Sequence, residues 1–166
     1  MKWILFVLGA IVFLALSALV VGLFLPKAHV ASRSATLAAS PEQVFQTITD
    51  IDRYTQWRSD LTALERRPDD GRGPLWMEKS GHNEILYRME QAVPNSKIVT
   101  RIADPTLPFG GTWTFDITPQ RSGTVLTITE AGEVYNPFFR VMQKLFFSPT
   151  ASIETYLDAL STRLRR

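Results

Sequence analysis

The sequence predicts an α+β fold, in which one curved antiparallel sheet closes over a long C-terminal helix and a single transmembrane helix precedes both. Three observations carry this prediction. Trp3 to Leu25, WILFVLGAIVFLALSALVVGLFL, is uncharged throughout and exceeds the ~20 apolar residues that a helix needs to cross a bilayer. From Thr62 to Val134, apolar residues recur with period two between turn signals, the pattern of an antiparallel meander. From Ile153 to Leu164 the apolar spacing returns to three and four residues, which puts one stripe along a helix.

The chain divides at residue 27. Residues 1–27 read as a membrane anchor. A cleaved secretory signal has a shorter apolar region, about 7 to 15 residues, followed by a small-x-small cleavage site, whereas Pro26 and Lys27 follow the run directly. Ala18 and Gly22 have the small-xxx-small spacing that lets membrane helices approach closely. Lys2 stands on one side of the span, and Lys27 and Arg33 on the other. These flanks are too evenly matched for the positive-inside rule to orient the span; the very short leader favours the N-terminus inside and the following domain on the non-cytoplasmic side of a single-pass protein.

Residues 28–166 read as one domain. A first strand, HVASRSATLAA, is followed by SPEQVFQTITD. Ser40 is a helix cap, Pro41 suits the first helical position, and Gln43 completes a capping box. Ile51, Tyr54, Trp57 and Leu61 then mark a second short helical turn. Six strands follow, near Thr62–Arg67, Leu75–Lys79, Asn83–Gln91, Lys97–Ala103, Gly111–Thr118 and Thr124–Val134. PDDGRGP, SGH, VPNS, DPTLP and PQRSG separate them, rich in residues that supply turn geometry. Asp69 and Asp70 belong to one such turn and satisfy its amides. A helical piece from Pro137 to Phe147 precedes Pro149, and the striped helix runs on to the C-terminus.

Composition excludes several classes. With no cysteine there is no disulfide scaffold, cysteine zinc site or thiol nucleophile. A net charge of +2, with acids interleaved among the bases, speaks against a nucleic-acid reader. No nucleophile elbow, metal-binding helix motif, phosphate loop or dinucleotide fingerprint is present. His29 and His82 have no visible partner in the sequence and read as solvated or locally bonded.

Four stretches, ASPEQVFQTITDIDRYTQWRSDL, WMEKSG, PFGGTWTFDITP and GTVLTITEAGEVYNPFFR, resemble the helix-grip superfamily of START-like domains, and within it the polyketide cyclase/dehydrase-like (SRPBCC) group. The resemblance spans Ala28 to Arg166. It implies a cavity between the concave sheet face and the C-terminal helix, used for lipids, polyketides or other apolar ligands, with no metal or cofactor. On this reading Trp57, Trp76, Glu78, Arg101, Trp113, Phe115, Ile117 and Glu130 line the ligand space. Gly110 and Gly111 either bend the sheet around it or make a tight turn after Pro108.

Glu78, Arg101 and Glu130 are the polar candidates. Period two puts Glu130 on one face with Leu126 and Ile128, and Glu78 with Trp76. A carboxylate in an apolar concavity has its pKa raised unless a cation compensates, and Arg101 is the candidate cation. The alternative is outward-facing ion pairs, because a one-residue shift of phase reverses every side chain. No catalytic residue is assigned, and Glu78 and Glu130 are the candidates for a general acid or base. NPFFRVMQKLFF carries a broad apolar face, with Arg140 and Lys144 one helical turn apart. It reads either as a lid over the cavity or as a bilayer contact whose two cations reach head groups.

The favoured function is a membrane-anchored domain that binds or transfers an apolar small molecule or lipid. The alternatives are a cyclase- or dehydrase-like enzyme that uses a pocket glutamate, and an interaction module with a filled cavity.

Overall fold

The computed structural model describes residues 2–146 and 148–165. Phe147 and Arg166, the predicted ends of the last two helices, lie outside them. Helix α1 spans Lys2–Phe24, strand β1 Ala28–Leu37 and helix α2 Pro41–Thr49, and a 3₁₀ segment follows at Ile51–Gln56. Strands β2 (Ala63–Arg67), β3 (Leu75–Ser80), β4 (Asn83–Val93), β5 (Lys97–Ile102), β6 (Phe109–Gln120) and β7 (Gly123–Val134) form the meander. Helices α3 (Pro137–Phe146) and α4 (Ala151–Leu164) complete the chain.

All seven strands join one antiparallel sheet in the order β1-β7-β6-β5-β4-β3-β2. The meander supplies six neighbours in sequence order, and β1 adds to β7 at one edge. Ser40 caps α2 as predicted: its hydroxyl accepts from the Gln43 amide, and its own amide donates to the Gln43 side chain at 2.9 Å.

One sheet face is concave and apolar. Ile98, Phe115, Ile117, Leu126 and Ile128 are buried on it, and the α4 stripe of Ile153, Tyr156, Leu157 and Leu160 is buried in the same cluster. Leu164 packs against that cluster at the end of the helix. Val44 and Ile48 of α2 and Ile51 and Tyr54 of the 3₁₀ segment close the core on the remaining side. Periodicity therefore assigns the apolar faces correctly, because strand and helix each offer only one.

Gly110 and Gly111 lie inside β6 and keep their pairing with β7. Gly111 has φ +141°, and a Cβ there would stand 2.5 Å from the Ala131 carbonyl oxygen. The pair makes neither a tight turn nor a bulge, and Gly111 lets β6 and β7 approach closely. The register shift falls instead in β4, between Met89 and Gln91.

α1 packs along α3. Ser17 and Ala18 of α1 are half-covered and Gly22 is buried. A Cβ on Gly22 would stand 2.0 Å from the Pro137 carbonyl oxygen. The small-residue face is therefore spent on the chain's own α3.

Arg140 departs from expectation. It is 6 % exposed and reaches no head-group position. Its Nε donates to the Val134 carbonyl (2.8 Å), Nη2 to Tyr135 (2.9 Å), and Nη1 to Gly22 (3.0 Å) and Leu25 (3.4 Å). The last carbonyls of a helix lack intrahelical donors and carry the negative end of its dipole. A guanidinium placed among them satisfies both, which is why this cation turns inward.

If α4 is the piece that the sheet closes on, Leu160→Ala costs about 2–5 kcal/mol. Asp158→Ala, on the exposed face of the same helix, changes stability by less than about 0.5 kcal/mol. Urea denaturation of the full chain in detergent reads both.

Candidate functional site

Two polar groups face the concave side, one deep and one at an opening. The deep group centres on Glu78 of β3, which is 7 % exposed. Its Oε1 accepts from the Trp76 indole Nε1 and from Arg58 Nη1, each at 2.9 Å. Arg58 follows the 3₁₀ segment, and its Nη2 also donates to Asp60 Oδ2 at 2.8 Å. The guanidinium carbon lies 5.4 Å from the ring centroid of Tyr54 and 5.2 Å from that of Tyr156, within cation–π range of both.

Burial pushes the Glu78 carboxyl above its ordinary value, against the opposing pull of Arg58 and Trp76. Burial also works against the Arg58 charge, but Glu78 and Asp60 outweigh it and hold that charge firmly. The group is thus a desolvated ion pair with its bonds made.

Little space remains beside it. A void of about 50 Å³ lies among Tyr54, Trp76, Tyr87, Thr100, Trp113 and Tyr156, room for ordered water and not for a ligand. Tyr54, Trp57, Trp76, Tyr87, Trp113, Phe115 and Tyr156 fill the concavity through tilted, stacked and edge-on contacts. Among the described residues, the buried Tyr156 hydroxyl and Trp57 Nε1 find no hydrogen-bond partner.

The opening lies towards α3. A cleft of about 350 Å³ is walled by Ile85, Tyr87, Ile102, Phe109 and Trp113 of the sheet and roofed by Phe139 and Met142 of α3. Glu130 and His29 reach its wall, with Glu130 Oε1 3.5 Å from His29 Nε2. Burial raises the Glu130 carboxyl above its ordinary value, while His29 and the Trp113 indole pull it down. Tyr87 and Trp113 line both the cleft and the inner void, so they separate the open part from the filled part.

The predicted residues therefore divide. Trp113 and Glu130 line the cleft, whereas Trp76, Glu78 and Phe115 surround the void, and Ile117 is core. Trp57 packs edge-on against Tyr54 and Tyr156 and belongs to neither space. Arg101 is not the cation of the group. Ile98 and Thr100 take the inward positions of β5, so Arg101 points outward and its Nε bonds Glu90 at 2.5 Å. Arg58 supplies the charge instead.

His29, read as unpartnered, faces Glu130. The register that pairs His29 with Gly132 and Ala31 with Glu130 brings them together. Tyr87 was legible from its period-two spacing with Ile85, but Arg58 had no such signal. A larger hollow of about 940 Å³ lies on the outer face between Arg72, Arg88, Arg101 and Asp104. Ile102, Ala103, Pro105, Ala131 and Tyr135 also line it, but its arginines bond Asp70 and Glu90, which leaves a mixed, self-neutralised surface on the outer side of the sheet.

The sequence pattern described as polyketide cyclase / dehydrase and lipid transport matches residues 28–165. The chain belongs to that family.

Its fold recurs in solved structures of low sequence identity. The di-domain ARO/CYC StfQ from the steffimycin biosynthetic pathway aligns with TM-score 0.67 at 13 % identity, over 83 % of this chain and 51 % of that one, so this chain spans about half of the di-domain. Norcoclaurine synthase from Thalictrum flavum, in complex with dopamine and hydroxybenzaldehyde, aligns with TM-score 0.67 at 14 % identity, over 83 % and 87 %. A START superfamily protein from Mycobacterium smegmatis aligns with TM-score 0.62 at 20 % identity, over 82 % and 97 %. No curated protein matches this chain in sequence. At these identities the shared property is the helix-grip fold.

The raised Glu130 carboxyl has a consequence for stability. The folded state holds its proton more tightly than the unfolded one, so this contribution is full below the ordinary value of 4.5 and is lost as pH rises through the folded value. Glu130→Gln removes that loss. The variant gains stability relative to the parent at pH 8, and the difference closes at pH 4, as read by urea denaturation at the two pH values.

Proposed function

We propose that this family member is a membrane-anchored carrier that holds a compact apolar ligand in the cleft beneath α3. The observation that carries the reading is the cleft itself, which is mostly apolar and has the half-buried Glu130 at its wall, with the exposed Glu133 and the half-buried Gln143 at its margin. Small-molecule sites run from about 300 to 1,000 Å³. A volume of about 350 Å³ suits one acyl chain or a small ring system and not a two-chain lipid. Trp113 and Tyr87 form its floor, and Glu130 with His29 offers an acceptor and an imidazole to a hydroxyl or carbonyl on the ligand.

The anchor is α1, which is long and apolar enough to span a bilayer. The bonds from Arg140 to the carbonyls of Gly22 and Leu25 support retention of the helix, because its removal would strip a buried guanidinium of half its acceptors. We assign the domain to the non-cytoplasmic side on the brevity of the leader before α1, since Lys2 on one side of the span is matched by Lys27 and Arg33 on the other and the basic flanks alone set no orientation.

A second reading rests on Glu130. A carboxyl raised above its ordinary value by burial beside the cleft can give or take a proton at a bound carbonyl compound, which is the enzymatic version of the same site. Glu78 serves this role poorly, as Arg58 and Trp76 already occupy its Oε1.

A diazirine-bearing single-chain fatty alcohol, photolysed with the full chain in nanodiscs, tests the carrier reading. Peptide mapping is expected to find adducts at Trp113, Phe139 or Met142, reduced at least tenfold in Met142→Trp, which fills the roof of the cleft. Adducts confined to α1, unchanged in that variant, would contradict it.

A further inference from the structure

α3 has two dissimilar sides. Pro137 and Arg140 face the end of α1. Phe138, Phe139, Leu145 and Phe146 remain 42–68 % exposed, far more apolar surface than one short helix ordinarily leaves to water. The contact with α1 says what covers it. Gly22 and Ala18 lie three and seven residues before Leu25, the end of the apolar run. At about 1.5 Å per residue these positions are roughly 5 and 10 Å inside the end of the span. A helix that packs against them shares their depth.

We propose that α3 is immersed in the outer part of the same leaflet that α1 crosses, with Arg140 locking the two helices together, so that the cleft opens directly to lipid. The partner of the exposed α3 face is the bilayer at the boundary of acyl chains and head groups, where an apolar face and a flanking lysine are accommodated together. Lys144 is exposed on this helix and reaches head groups from there. Phe139 belongs to both surfaces, since it roofs the cleft and is itself half exposed. Arg140 is a positioning residue: it touches no ligand and acts by tying the carbonyls of Gly22 and Leu25 to those of Val134 and Tyr135.

The inference rests on the membrane-anchored reading, and one experiment separates the two. The chain has no cysteine, so single cysteines introduced into the full chain can carry a fluorophore without further changes. In nanodiscs that contain doxyl-labelled phosphatidylcholine, a label at Phe13→Cys, in the middle of α1, reports the span. A label at Phe146→Cys reports α3, and one at Arg121→Cys, in the exposed turn at the far end of β6, reports the distal domain. Doxyl lipid is expected to quench the first two at least twofold and to leave the third unchanged.

Gly22→Val, whose side chain collides with Pro137 while every bond within the domain is left intact, is expected to abolish quenching at Phe146→Cys and retain it at Phe13→Cys. Arg140→Ala is expected to do the same. Quenching at Phe13→Cys alone in the otherwise unaltered chain would overturn the immersion of α3 and leave the anchor standing. Loss at both positions would overturn anchor and immersion together. A Phe146→Cys label that ignores doxyl lipid but self-quenches as protein density rises would assign the α3 face to a second copy of the chain and overturn the proposal.

Discussion

The curvature of the sheet sets a volume that α4 has to fill, and most other features follow from how it is filled. Ile153, Leu157 and Leu160 supply part of the packing, but the centre of the concavity is closed by aromatic rings, with Tyr156 of α4 meeting Trp57, Trp113 and Phe115. Rings bring large area with few rotamers, so the centre becomes solid. The remaining free space is displaced to the end where β6 and β7 meet α3. The same strands therefore build a core along one half of their length and an open cleft along the other.

Electrostatics follows the same division. Glu78 lies in the solid part, where an unpaired carboxylate would be costly, and Arg58 with Trp76 answers it. Glu130 lies at the edge of the cleft, where His29 answers only partly and at longer range. One glutamate has its partners at hydrogen-bond distance inside the packing, and the other is left partly unanswered beside the cleft. Arg140 repeats the logic at the α1 end, where its charge is stabilised by backbone carbonyls and joins two helices that are far apart in sequence.

Much of the architecture was legible because it rests on period. Every strand of the meander and the α4 stripe follow from spacing that offers a single apolar face, and the capping box at Ser40 follows from the local reach of Ser40 and Gln43 to each other's amides. What was not legible depends on partners brought in from elsewhere. Arg101 and Thr100 are adjacent, and only the pairing of Thr100 with Trp113 decides which points inward. Arg58 reaches Glu78 from a loop with no periodicity. Arg140 and Lys144 look alike on a helical wheel, and it is the end of α1 that buries one of them. The family resemblance implied a cavity, with a filled one as the alternative, and whether aromatic side chains line a space or fill it depends on their rotamers, which no pattern of residue types encodes.

The central claim is that ligand occupies the cleft under α3 and stops at Trp113. A brominated single-chain alcohol quenches only tryptophans that it touches. In a Trp3→Phe background in nanodiscs, the account predicts saturable quenching that Trp113→Phe removes while Trp76→Phe leaves it in place. Quenching that persists in Trp113→Phe and disappears in Trp76→Phe would put the ligand in the deep half beside Glu78 and contradict the account.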